Sequence, residues 1–297
     1  MTRLRPSSKN LAKAGLSSFL LFLCLISGCS SSTSPSFQKE DIAKAVYDLC
    51  RQEFKLDATV RLVGSTLWIY LPLEDIFKPS DKPEKRIERF EIIKNQVEFK
   101  DDRILESSYM VLSIPEKEKR QGIKYNTGVS EKINGVWNII RRVLFSMERS
   151  GKNEPQFISF ITADVKNGYE LTELSYYLDL KKISYGFISS GEYQHRSPQD
   201  MNMSPEIIND IKARHIDFTD ISFKEFIRRQ IENRVRMKFQ KPEVQKNADI
   251  DKEIMRIVST TLKTYNFNDF SEAEFRNLFT RNRIILNRKA ILTSPID

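Results

Sequence analysis

The chain has 297 residues, 40% of them hydrophobic and 30% charged, with a formal net charge of +8. These values exclude a disordered chain and a multi-span membrane protein, and they fit a soluble globular protein with a sizeable core. The charge is uneven: residues 1–28 carry four basic residues and no acid, residues 29–203 hold 26 of each sign, and residues 204–297 hold 18 basic against 14 acidic.

Residues 1–13 are polar and basic, and Ala14 to Ser27 is an apolar run that includes Phe19, Leu20, Leu21, Phe22 and Leu23. That run is shorter than the roughly 18–20 residues a helix needs to span a bilayer. A basic start, a short apolar stretch and a small-residue exit predict a signal peptide over residues 1–28. Leu25-Ile26-Ser27-Gly28-Cys29 resembles the lipobox of bacterial prolipoproteins, where small residues give the processing enzymes access to the thiol and to the bond before it. Cys24 follows the bulky Leu23 and does not fit. The resemblance implies cleavage before Cys29, a diacylglyceryl thioether on its sulfur and often a third acyl chain. Each buried methylene contributes about 0.8 kcal/mol, so several chains make a lasting anchor.

Residues 29–38 then read as a serine-rich tether, Ser30 to Ser36 being Ser-Ser-Ser-Thr-Ser-Pro-Ser. The expected location is the cell envelope. Ser30 is compatible with the outer membrane, facing the periplasm, in a two-membrane cell; in a one-membrane cell the protein would sit on the outer face of the plasma membrane. Of the three cysteines, Cys24 leaves with the signal and Cys29 is acylated, so Cys50 is alone and no intramolecular disulfide forms.

Residues 39–54 carry Ile42, Val46, Leu49 and Cys50 at helical spacing, which makes Cys50 a core residue. Residues 58–63 and 66–71 are strand-like around Gly64-Ser65, a hairpin signal. Residues 78–88 and 114–128 read as charged loops, and residues 91–99 and 104–113 as further strands. Residues 130–148 give the clearest helix, with Ile133, Val136, Trp137, Ile140, Val143 and Leu144 on one face. Residues 157–165 predict a buried strand and residues 170–183 a helix. Residues 189–197 are ambiguous, although Ser189 with Glu192 can form a capping box. Four helices are expected over residues 204–214, 220–239, 248–264 and 271–280, and a last strand over 284–292.

The expected fold is α+β. An N-terminal mixed or antiparallel sheet with packed helices occupies residues 39–203. A mainly helical region, either a second domain or a continuation of the first, occupies residues 204–297.

No nucleophile elbow, phosphate-binding glycine loop or cofactor motif is present. The two histidines, His195 and His215, lie near Glu192 and Asp217 respectively. These four side chains, with Asp164 at the end of a buried strand, are where dispersed hydrolase or metal chemistry would be sought. Surface and capping roles are the commoner use of such residues, and no metal or cofactor is expected. Residues 221–241 combine an apolar stripe with Lys224, Arg228, Arg229, Arg234, Arg236, Lys238 and Lys241. Such a helix can meet anionic headgroups or an acidic envelope polymer, or can pack its stripe into the core with a solvated basic face. Export removes the protein from cytoplasmic nucleic acid. The expected role is therefore that of a binding or assembly component meeting the membrane, an envelope protein or an anionic polymer. An envelope hydrolase or metal-dependent enzyme is the alternative.

Overall fold

The hairpin expected at Gly64-Ser65 begins the first sheet. In the computed structural model, which describes residues 37–101, 103–147 and 154–293, β1 (Thr59–Val63) and β2 (Thr66–Leu73) pair antiparallel across this turn. The signal segment, Cys29 and the tether up to Ser36 lie outside the described residues. β2 pairs parallel with β5 (Phe157–Asp164), which pairs antiparallel with β6 (Tyr169–Tyr176), and β6 pairs in turn with β7 (Gln199–Met203). The strand order is β1-β2-β5-β6-β7.

Strand periodicity divides this sheet between two cores. Leu67, Ile69, Leu71, Ile158 and Phe160 face α1 (Ile42–Phe54) and α2 (Thr127–Phe145). Trp68, Tyr70, Ile161 and Ala163 point the other way, into a cluster with Ile221, Phe226, Ile227, Ile231 and Val235. Cys50 is buried in the first core, and desolvation, then the charge of Glu53, pushes its thiol up to about 11.

A second sheet has the order β3-β4-β8-β9. β3 (Phe77–Lys100) and β4 (Ile104–Tyr125) form one long antiparallel ribbon, with register shifts near Pro79, Glu88 and Ile92. Residues 78–88 and 114–125, expected as loops, are therefore strand. The ribbon is largely exposed there and is laced by Lys85–Glu118 (3.3 Å), Lys119–Glu88 (2.9 Å) and Lys124–Asp81 (3.0 Å). β8 (Glu272–Asn277) pairs parallel with β4 and antiparallel with β9 (Asn282–Asn287).

Residues 271–280, expected as a helix from the Ser271/Glu274 signature, are β8 and its turn. Ala273 and Phe275 are buried two apart, and Ser271 N–H donates to the Arg103 carbonyl rather than starting a helix. Residues 204–214 hold only a 3-10 turn, Pro205–Ile207. Residues 170–176 are strand, and α3 (Tyr177–Ser184) starts after them. α4 (Ser190–Arg196) begins where the capping residues suggest, with Ser189 Oγ accepting from Glu192 N–H at 3.1 Å. The last strand ends at Asn287 and gives way to α7 (Arg288–Thr293).

α5 (Phe223–Phe239) and α6 (Ile250–Thr264) match the expected helices, each with a side-chain N-cap from Ser222 or Asp249. The mixed α+β class stands. The chain on both sides of residue 204 shares one core, and the approach to α5 is tied to the β1–β2 turn. Asp220 accepts from Ser65 N–H (2.9 Å), Ser65 Oγ (3.0 Å) and Thr66 Oγ1 (3.1 Å). Gly64, at φ +57°, permits this: a Cβ there would lie 2.2 Å from the Asp220 carboxylate.

Candidate functional site

The residues singled out in the sequence do not gather in one place. Asp164 is fully buried, and its oxygens accept from Ile76 N–H (2.9 Å), Asn167 N–H (3.0 Å) and the Asn167 side chain (3.1 and 3.0 Å). Its acceptor capacity goes to holding two loops. Glu192 sits beside Arg196 at 2.7 Å, on the same turn of α4.

His215 lies between two carboxylates. Its Nδ1 is 2.5 Å from Asp210 Oδ2 and its Nε2 is 3.0 Å from Glu170 Oε2, with all three side chains about nine-tenths buried. Desolvation opposes charge on the ring, but the hydrogen bonds it donates to Glu170 and Asp210, then their charges, outweigh it and raise the imidazole pKa. Burial also opposes charge on Asp210. The His215 ring and the backbone N–H groups of His215, Lys212 and Arg214 nevertheless hold its carboxyl below the usual range. With both nitrogens engaged, the ring is a strut packed edge-on to the Tyr70 ring, whose hydroxyl donates to the Asp210 carbonyl at 2.6 Å. Asp217 lines the neighbouring cleft without joining the set. Among the described residues no group of His, Cys, Asp and Glu stands ready to hold a metal.

His195 belongs elsewhere. It lines a cavity of about 220 Å³ between α5 and α6, together with Arg234, Lys238, Lys241 and Arg256. Met237, Ile257 and Thr260 complete the wall, and among the described residues no acidic side chain lines it. The cleft exists because the buried positions of α5 (Phe226, Ile227, Ile231, Val235, Phe239) face the sheet core, leaving 234, 237, 238 and 241 on the side toward α6.

The structure sorts the six cations of α5. Lys224 pairs with Asp269 at 3.2 Å. Arg228 bridges Glu225 (2.6 Å) and Glu232 (3.0 Å), and Arg229 joins Glu225 at 2.7 Å. Arg236 meets Asp200 at 2.9 Å, and Lys238 meets Glu253 at 3.1 Å. Glu253 also takes Arg256 at 2.7 Å. Arg234 differs: its Nε and Nη2 are buried and have no hydrogen-bond partner among the described residues.

A guanidinium carries five N–H donors in a rigid fork, and leaving them unmade in a desolvated place costs more than a hydrogen bond gains. The arrangement suits an anion. Arg234, Lys238, Lys241 and Arg256 bring four permanent positive charges to one cleft, and Glu253 is shared between Lys238 and Arg256. It offers no nucleophile paired with a base. The sequence marks Arg234, Lys238 and Lys241 as members of one basic run and His195 separately, and it gives no sign that Arg256 joins them. No family model matches the sequence, and neither the curated proteins nor the solved structures give a match.

Proposed function

We propose that this chain is a lipid-anchored lipoprotein of a bacterial cell envelope that acts by binding, and that the α5–α6 cleft holds a phosphoryl group of an envelope component. The observation that carries the binding reading is the gathering of Arg234, Lys238, Lys241 and Arg256 around one cleft, with Arg234 Nε and Nη2 buried and without a hydrogen-bond partner among the described residues. A phosphoryl group is favoured over a single carboxylate. Four permanently charged side chains face the cavity, and a dianion with three acceptor oxygens uses more of them. The address rests on the lipobox resemblance at Leu25 to Cys29 and on the serine tether that follows. In a two-membrane cell it is the periplasmic face of the outer membrane, otherwise the outer face of the plasma membrane. No described helix is long and apolar enough to cross a membrane.

The binding test is a titration of inorganic phosphate into the full chain, with Arg234→Met as the comparison. The address is tested by metabolic labelling with a tagged fatty acid. The wild-type chain should take up the label and Cys29→Ser should not. Label retained in the variant removes Cys29 as the acceptor.

A further inference from the structure

A second cavity, on the opposite core of the first sheet, has the reverse character. It measures about 250 Å³ and lies between α2 and the face formed by β5, β6 and β7. Strand register explains its shape. Phe160 stands opposite Glu173, and Glu173 opposite Gln199, so the three form one row across the sheet. Thr162 and Leu171 form the next row. α2 covers the β5 end of these rows, with Trp137 edge-on to Phe160 at 5.2 Å, and the gap opens toward β7. Tyr125, stacked at a tilt on Phe77 at 4.8 Å, closes one end.

Among the described residues, Glu173 is the one charged side chain lining this cavity. Its carboxylate is poorly served. Ser175 Oγ and Gln199 Nε2 each approach only to 3.4 Å, at the limit of a hydrogen bond. The other ionisable groups that face it are Arg141 from α2, Tyr193 from α4 and Tyr125 from β4. None forms a hydrogen bond or an ion pair with it. Arg141 bonds Asn138 at 3.3 Å, and Tyr193 is 2.8 Å from Ser175 Oγ. Burial therefore dominates and pushes the carboxyl up to about 7, against weaker opposition from Gln199, Ser175 and Arg141. A carboxylate with no cation bonded to it, walled by Trp137, Phe160 and Tyr125 and flanked by the Asn134 amide and the Thr162 hydroxyl, is complementary to a small positive group. The rings present negative faces and the amide and hydroxyl oxygens accept N–H bonds.

We propose that this cavity binds a small organic cation, a primary or methylated amine, with its nitrogen held by Glu173. The site is separate from the α5–α6 cleft and does not depend on the reading given to that cleft. Amine binding draws the proton off Glu173, so affinity should rise with pH across the neutral range. From pH 6 to pH 8 the ionised fraction of a carboxyl titrating near 7 rises about tenfold, and the affinity should follow.

The experiment is calorimetric titration of n-butylammonium, with n-butanol as the neutral isostere, into the full chain in neutral detergent at pH 6 and pH 8. Saturable ammonium binding is expected. It should be about tenfold tighter at the higher pH, at least tenfold weaker for butanol, and lost in Glu173→Gln. Glu173→Gln removes a partly buried charge while keeping volume, so it should melt no lower than the wild type at pH 8. A second variant, Thr162→Leu, narrows the cavity without touching the carboxyl and should weaken ammonium binding while leaving its pH dependence. Equal affinity for ammonium and alcohol, unaltered binding in Glu173→Gln, or no saturable ammonium binding at millimolar concentration overturns the proposal.

Discussion

His215 and Arg234 are both enclosed basic side chains set beside the first sheet and its covering helices, but they are treated in opposite ways. Around His215 every charge has a partner: Asp210 at one ring nitrogen, Glu170 at the other, and backbone N–H groups behind Asp210. Around Arg234 two guanidinium nitrogens are buried and have no hydrogen-bond partner among the described residues, and Lys238, Lys241 and Arg256 share its cavity. A fully satisfied buried network contributes to holding the fold, whereas an unsatisfied one costs stability unless something outside the chain completes it. The contrast separates structural from binding charge more sharply than residue type does.

The largest effect is expected at the paired site. His215→Asn should lower stability by roughly 2–4 kcal/mol, because it leaves Asp210 and Glu170 buried without a cation. The sign follows from the raised imidazole pKa. The ring's contribution is complete below its unfolded value near 6.5 and is lost as pH rises through the higher folded value. Asp210 is shifted the other way, so its contribution is lost only as pH falls through its depressed value, below about 3.9. The gap between wild type and variant should therefore be widest between about pH 4 and 6.5 and should narrow above it. Urea melts across that range measure it, and a gap that widens toward pH 9 would break the assignment of a charged ring.

A smaller loss, about 1 kcal/mol, is expected for Arg228→Met, whose partners are half-exposed. Burial raises the Glu225 pKa, but hydrogen bonds from Arg228 and Arg229, then their charges, win and hold it at about 2. Its contribution is present above the usual carboxylate value and is lost as pH falls toward 2, so the cost of Arg228→Met should fade on acidification. At Arg234 the comparison predicts almost no stability change, within about 0.5 kcal/mol or slightly favourable for Met, because nothing bonded is removed.

The elements with one buried face were legible in the sequence. α2, α5 and α6 announce themselves by helical spacing, and β1–β2 by Gly64-Ser65. The β3–β4 ribbon was read short because residues 78–88 and 116–124 expose both faces. Their pairing is held by cross-strand charges, which leave no alternation of apolar and polar residues to read. Residues 271–280 carry a genuine helix-start signature that pairing with β4 overrides. At the site, the cationic run on α5 was visible, but which of its members lacks a partner was not. Asp200, Glu253 and Asp269, which neutralise Arg236, Lys238 and Lys224, come from other elements. Glu173 gave no signal at all, since it falls in a stretch that reads as a polar helix face, and only the register Phe160–Glu173–Gln199 places it at a cavity.

The most direct test of the central contrast is isothermal titration of inorganic phosphate into the full chain in neutral detergent, wild type beside Arg234→Met, with a thermal melt of each. The expected result is saturable binding by the wild type, at least tenfold weaker binding by the variant, a loss of about 1.4 kcal/mol or more, and matching melting temperatures without phosphate. Equal phosphate affinity in the two proteins, no saturable binding by the wild type at millimolar phosphate, or a large drop in the melting temperature of Arg234→Met contradicts it.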